Sequence, residues 1–383
     1  MEITELLEII SRGEDSKHQF KGDVTNVISL AQEMVAFSNS GGGKIFIGVS
    51  DTGEITGLSS TDMNRLNGLV SNAASQHVRP PINPQTENIA LPKGLVMVIT
   101  VLDGISKPYS DKDGVFWVKS GADKRKATSR EEIQRLFQQA GLIHGDEIVI
   151  NNMTVADVDI PYFIEFFEKN NKIRLDDQKN SIPVILENMN LMKNGSMNVS
   201  GALLFAKNPQ LKLPVFIVKA ICFPGNEIDA KTYIESVDIT GKMEEVFRAG
   251  KSFMLRNIMK VQGGQNINSL GVLEIPEIAI EELLVNALIH RDYFISSPIR
   301  IFIFKNRIEI ISPGHLPNNL TVENIKNGNS NIRNPILSSF ATKILPYRGI
   351  GTGVQRALTE YPDIDFENDL DGNQFKVIIE RRA

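Results

Sequence analysis

Along the first 140 residues the spacing of apolar positions changes period several times. Residues 1–10 repeat at helical spacing, and Ser11-Arg12-Gly13 breaks the chain before an extended piece at 18–21. A helix is predicted over 27–38, then a turn at Ser40-Gly41-Gly42-Gly43 and an apolar strand over 44–49. Asp51-Thr52-Gly53 reads as a hairpin turn into 54–58, and 62–77 is again helical in spacing. Strands are expected at 95–102 and 114–119, and Thr128-Ser129-Arg130-Glu131-Glu132 resembles an N-cap opening a helix to 139. Together these pieces form one α+β unit over 1–141.

A linker is expected at 142–152, marked by Gly145 and the paired Asn151-Asn152. Over 153–275 the pattern predicts helices at 160–170, 182–189 and 242–259, with strands at 202–206 and 215–223. Over 276–383 it predicts a helix at 277–290, strands at 299–305 and 307–312, a glycine-rich loop, then a helix at 354–361 and a final strand. The short connections suggest that the last two segments pack as one unit.

Composition narrows the class. The chain has 383 residues, 42% hydrophobic and 23% charged, so wholesale disorder and a coiled-coil rod are excluded. One cysteine, Cys222, rules out an intramolecular disulfide and multi-cysteine zinc modules, and fits a buried thiol in a reducing cytoplasm. The N-terminus is acidic and amphipathic, unlike a signal peptide, and no apolar run approaches a membrane span. A cytoplasmic protein with no membrane partner is expected.

The net charge of −5 divides evenly: 15 Lys and Arg against 17 Asp and Glu up to residue 143, and 26 against 29 beyond it. Phosphate binding therefore requires a local patch. Residues 117–130 supply one, with Lys119, Lys124, Arg125, Lys126 and Arg130 against Asp123, net +4. Lys17, Lys21, Lys44 and Arg79 are the cations expected to join them, although a charge run is also commonly a solvated face. The glycine turn reads either as a tight helix-to-strand connection or as backbone open to close approach.

Several ordered pieces resemble the Schlafen-type AlbA domain: Gly13-Glu14-Asp15-Ser16 with Phe20-Lys21, Ala36-Phe37-Ser38-Asn39-Ser40-Gly41-Gly42, Ile47-Gly48-Val49-Ser50-Asp51, Lys107-Pro108-Tyr109, Val118-Lys119-Ser120-Gly121 and 127–133. The resemblance covers nearly all of 5–138 and implies a nucleic-acid-binding α/β module. Some members are ribonucleases with three carboxylates. Glu14 and Asp51 match two of those positions, but Gln19 stands at the third, and a neutral amide is a poor cation ligand.

In the last segment, Glu281-Glu282 and Asn286 lie on one predicted helix, with 282 and 286 on a shared face. A carboxylate can orient water while an Asn oxygen reaches Mg²⁺ on a triphosphate. Gly349, Gly351 and Gly353 precede a helix, where bare N–H groups and the helix dipole favour phosphate. His290 and His315 read as packing or loop residues, and Arg291 and Asp292 as partners of each other or a cap. Glu282 to Ala287, His290-Arg291-Asp292-Tyr293, 312–317, Arg333-Asn334-Pro335 and the glycine loop resemble the helicase-related transcriptional regulator C-terminal domain. That domain is similar to the GHKL ATP-binding fold, and the likeness spans most of 160–381, including Gly201 to Phe205 and Lys207-Asn208-Pro209. GHKL enzymes bond adenine through an aspartate after the second strand. Ile311-Ser312-Pro313-Gly314 has none, which removes that implied contact and leaves the phosphate contacts.

The expectation is an α+β protein, an AlbA α/β domain followed by a GHKL-like α/β sandwich, acting as a DNA-binding regulator with ATP and Mg as cofactors. Lys and Arg at 119–126 with Lys21 would meet phosphates, on DNA in preference to RNA, and self-association is expected. A winged helix-turn-helix reader after the last strand is not among the expectations. The alternatives are a metal-dependent RNA nuclease using Glu14 and Asp51, and a nucleotide-sensing protein-interaction module. Any enzymatic activity would be a weak ATPase centred on Glu282 or an endoribonuclease.

Overall fold

The apolar strand after the glycine turn carries Ile45 and Ile47 on one face and Phe46 on the other, and all three are fully buried. That is possible only where both faces of a sheet are covered. The strand belongs to the first of two units, Met1–Ile143 and His144–Ala383. The computed structural model describes residues 1–229, 231–261, 271–317 and 320–381.

In chain order the first unit contains α1 (Ile3–Arg12), β1 (His18–Lys21), α2 (Val27–Asn39), β2 (Gly43–Ile47), α3 (Ser60–Gln76), β3 (Val78–Arg79), β4 (Gln85–Leu91), β5 (Gly94–Val101), β6 (Ser110–Asp111), β7 (Trp117–Ser120), β8 (Asp123–Lys126) and α4 (Arg130–Gln139). The main sheet runs β1-β2-β5-β4, with β1 parallel to β2 and the other pairs antiparallel. On one face Ile45, Ile47, Met97 and Ile99 pack with Leu30 and Met34 of α2 and Leu66 of α3. On the other face Phe20, Phe46 and Val98 pack with Leu6 of α1. Asn26 caps α2 by accepting from Ile28 and Ser29, and Ser59 with Asp62 forms a capping box on α3. The edge strand β4 was not anticipated, because only Ile89 of its seven residues is buried and no apolar alternation marks it.

The second unit contains α5 (Ile160–Asn171), α6 (Ile182–Asn188), β9 (Met192–Lys193), β10 (Ser196–Met197), α7 (Val199–Phe205), β11 (Val218–Cys222), β12 (Glu235–Ile239), α8 (Met243–Arg256), β13 (Lys260–Val261), β14 (Val272–Leu273), α9 (Glu277–His290), β15 (Ile299–Ile303), β16 (Arg307–Pro313), α10 (Val322–Lys326), α11 (Pro335–Ile344), α12 (Gly353–Glu360), β17 (Ile364–Asp369) and β18 (Gln374–Glu380). Six strands order as β12-β11-β15-β16-β18-β17, antiparallel except for β11 with β15. Helices α8 and α9 supply Phe253, Leu283 and Leu284 to the core that also holds Ile301 and Ile310. Cys222 lies buried in β11, and burial pushes its thiol up.

The stretch expected as a strand at 202–206 is a helix, α7. Asn198 caps it by accepting from the Gly201 N–H at 2.8 Å. All seven of its residues are buried, so no polar face reveals the helical period. Residues 144–152, within the expected linker, belong to the second unit: buried Asp146 accepts from the Leu337 N–H in the first turn of α11 at 2.9 Å, and Val149 bridges Asn198. Burial raises the Asp146 carboxyl. Among the described residues, no helix is long and apolar enough to cross a membrane.

The glycine turn after α2 is a packing constraint. A Cβ at Gly43 would lie 2.2 Å from the Phe37 ring, and Gly42 has φ +74° with the Asp103 N–H 2.7 Å from a Cβ position. Replacing Gly43 with Ala should lower stability by about 2 kcal/mol or more through overpacking. Gly22 has nothing within 4 Å of a Cβ, so Gly22→Ala should stay within about 0.5 kcal/mol. Urea titration of both variants checks this; equal midpoints would refute the packing account.

Candidate functional site

In the first unit the sequence motif around Asn39 proves to be a fastening. The Asn39 amide donates to the carbonyls of Tyr109 and Trp117, both at 2.9 Å, and its oxygen accepts from the Tyr109 N–H at 2.8 Å. Ser40 Oγ accepts from the Lys119 N–H at 2.9 Å. The β7–β8 hairpin, which carries the basic run, is thereby pinned to the end of α2.

That pinning changes which cations face water. Lys119 has 2% of its side chain exposed; its Nζ donates to Gln19 Oε1 and Glu33 Oε1, both at 2.9 Å, and to the Ala122 carbonyl, while lying 4.7 Å from the Phe37 ring centre. Lys124 reaches the other Glu33 oxygen at 3.1 Å. Lys17 Nζ donates to the carbonyls of Gly41 at 2.6 Å, Gly42 at 3.2 Å and Ser40 at 3.3 Å, satisfying the turn that follows α2. Arg125 forms a forked pair with Glu132. Lys21 lies 3.4 Å from Asp51, and Lys44 3.7 Å from Glu5. Lys126 is exposed and stands 5.5 Å over the Trp117 ring. The structure therefore brings Glu33 and Glu132 to a run that carries +4 in sequence, leaving +2. Glu33 gave no signal in the sequence, since it lies 86 residues from Lys119.

The two carboxylates considered for metal chemistry have separate neighbours. Glu14 Oε1 accepts from the Gln19 amide and from the Phe20 N–H at 2.6 Å, whereas Asp51 is exposed beside Lys21. Among the described residues there is no group of three or more His, Cys, Asp or Glu able to hold a metal ion. With Gln19 bonded to both Glu14 and Lys119, these residues do not fit a cation site.

The second unit holds a cleft of about 1020 Å³, solvent at its mouth included. Its walls bring together Glu282, Asn286 and His290 of α9, the loop Arg348 to Thr352, and Gly353 and Arg356 of α12; Ile310, Ser312, Phe366, Phe375 and Val377 form its apolar sheet floor. A Cβ on Gly353 would lie 2.6 Å from Glu282 Oε2 and 3.1 Å from Asn286 Nδ2, at the tips of two side chains, so the start of α12 lies close against α9. Gly349 and Gly351 take φ +70° and +78°. Adjacent carboxylates on a helix diverge: Glu281 pairs with Lys251 of α8 at 2.8 Å, and Glu282 turns into the cleft with 6% of its side chain exposed. Burial pushes the Glu282 carboxyl up, against the pull of Arg356 and Arg348.

Arg356, Arg348 and Arg333 are cleft residues not foreseen as such. Arg356 Nη2 sits 2.6 Å from Glu282 Oε1. It stands three positions after Gly353 on α12, but no local pattern ties it to Glu282. Arg333 donates to the His290 and His315 carbonyls, which joins α9 to the loop after β16. Arg291 is 2% exposed, donates to the Ile295 and Ser297 carbonyls, and lies over Phe216 and Tyr293. Burial pushes the His290 imidazole down to about 4. Ser312 Oγ donates to the Ala287 carbonyl, and among the described residues lining the cleft Glu282 is the one carboxylate.

Residues 14–128 match the family described as Schlafen, AlbA_2, and residues 296–379 match "Putative ATP-dependent DNA helicase recG C-terminal", an HATPase_c_4 model. The chain joins a Schlafen AlbA domain to an HATPase-like domain. The HATPase-like match begins at residue 296, beyond α9, so Glu282 and Asn286 complete the cleft from outside it. Among solved structures, the DIP2311 protein of Corynebacterium diphtheriae is 19% identical over 100% of this chain and 80% of its own, with a TM-score of 0.48. The N-terminal domain of a RecG-related protein from Nitrosomonas europaea is 16% identical over 33% of this chain and 94% of its own, with a TM-score of 0.24. The curated proteins give no significant match.

Two expectations follow. Lys119→Met should cost about 3 kcal/mol in urea denaturation by leaving buried Glu33 undercompensated, whereas Lys126→Ala should stay within about 0.5 kcal/mol. Comparable losses would refute the buried assignment. His290 is held neutral in the fold, so its contribution is intact above its ordinary value of 6.5 and is lost as pH falls through about 4. The gap in Tm between the native protein and His290→Asn should narrow from pH 7 to 4.5; a constant gap would contradict the depressed imidazole.

Proposed function

We propose that this is a nucleic-acid-associated, DNA-binding regulator whose C-terminal cleft takes a nucleoside triphosphate, ATP with Mg²⁺, as a signal. The observation that carries the reading is the convergence of Glu282, Asn286 and the 349–353 glycine loop in one cleft, flanked by Arg348 and Arg356. These residues fit the group: backbone N–H groups at the start of α12 and two arginines suit phosphates, and Asn286 supplies an oxygen for the cation. Bound Mg²⁺ would neutralise phosphate charge. The apolar floor gives a base a surface to lie on without a carboxylate to select its amino group.

For nucleic acid, support comes from the AlbA family match and from the cations that remain accessible. Lys21, Lys44, Arg125 and Lys126 are the proposed phosphate contacts, with Lys126 exposed beside Trp117. Lys17, Lys119 and Lys124 drop out because their amines already serve carbonyls and Glu33. A reducing cytoplasm suits the single buried Cys222.

The test is calorimetry of the full chain with ATP and Mg²⁺, followed by duplex DNA binding across a salt series with and without nucleotide. Measurable ATP binding weakened about tenfold or more by Asn286→Ala, and a DNA affinity that falls with salt and changes with ATP, are expected. No heat with ATP, or DNA binding indifferent to salt and to Lys126→Glu, would end the corresponding half of the reading.

A further inference from the structure

Glu282 presents a difficulty for any anionic ligand. Its carboxylate is nearly buried, lines the same cleft as the glycine loop, and is wedged where Gly353 lacks a side chain. A bare carboxylate there would repel a phosphate, and burial strengthens that repulsion. Arg356 meets it at 2.6 Å while keeping 29% of its own side chain exposed. Its Nε is buried and has no hydrogen-bond partner. One guanidinium thus has one nitrogen on Glu282 and another still unsatisfied, and an unmade bond at a buried N–H is costly.

We propose that Arg356 is the positioning residue that makes the cleft competent for a phosphate-bearing ligand: its guanidinium holds the Glu282 charge and so removes the repulsion that a bare carboxylate would exert on a phosphate. This rests on the nucleotide reading above and extends it to how the site tolerates its own carboxylate. The planar fork of an arginine suits this task, since its geometry matches a carboxylate. Arg348 adds a second positive charge on the Glu282 side of the loop. Glu281 does not share the task, because Lys251 already holds it on the neighbouring helix.

The test is a double-mutant cycle read by calorimetric binding of ATP with Mg²⁺ to the full chain, with Tm of each variant recorded. Arg356→Gln should weaken binding about tenfold or more, Glu282→Gln should tighten it, and the pair together should recover to within about threefold of the native protein. Arg356→Lys, which keeps the charge and loses the fork, serves if the Gln variant does not fold; it should weaken binding less than tenfold, and Glu282→Gln in that background should restore it. A double variant as weak as Arg356→Gln alone would overturn the proposal in favour of a direct phosphate contact. Binding unchanged in Arg356→Gln would overturn it outright. No binding to the native chain would overturn the nucleotide reading itself, a result separate from either of these.

Discussion

The second unit is organised by the approach of one backbone position to one helix face. Gly353 lies so near Glu282 and Asn286 that a single added carbon would crowd the tips of both side chains. This contact makes α9, the glycine loop and α12 one continuous wall, with the Glu282–Arg356 pair as its electrostatic seal. The usual explanation for glycines before a helix is that phosphate must come close to bare backbone. Here the protein's own carboxylate and amide also come close to Gly353, so the glycine eases packing within the wall itself.

Charge is treated in the first unit by the same rule. A cation is available to a partner only if nothing closer compensates it. Glu33, carried inside α2, draws in Lys119 and Lys124, and the glycine turn draws in Lys17. Taking Lys119 out of water costs several kcal/mol and is sustained by three hydrogen bonds and an aromatic face. Exposed pairs such as Arg125 with Glu132 contribute far less and can be traded for a phosphate. Counting cations along a sequence therefore overstates an interface, and desolvation decides which remain.

Much of the architecture was legible because its periodicity survives in one dimension. Strand β2, helices α2, α3 and α9, and the glycine loop all stand close to where apolar spacing and turn residues put them. Legibility failed where burial is uniform or nearly absent. Helix α7, buried all round, looked like a strand, and β4, exposed except at Ile89, looked like loop. The pairing of Glu282 with Asn286 could be read from their spacing on α9, while Arg356, lying 74 residues from Glu282, could not be assigned to the same site.

What the amino-acid order alone determined is the sequence of local elements, the two family resemblances and the residue types able to handle phosphate. Those follow from periodicity, capping and backbone conformation, which act over a few residues. The tertiary structure decided which charges are free, that Gln19 is bonded to Lys119, and that Arg356 closes on Glu282. Electrostatic partners are chosen by distance and burial in three dimensions, and neither quantity is encoded in sequence separation.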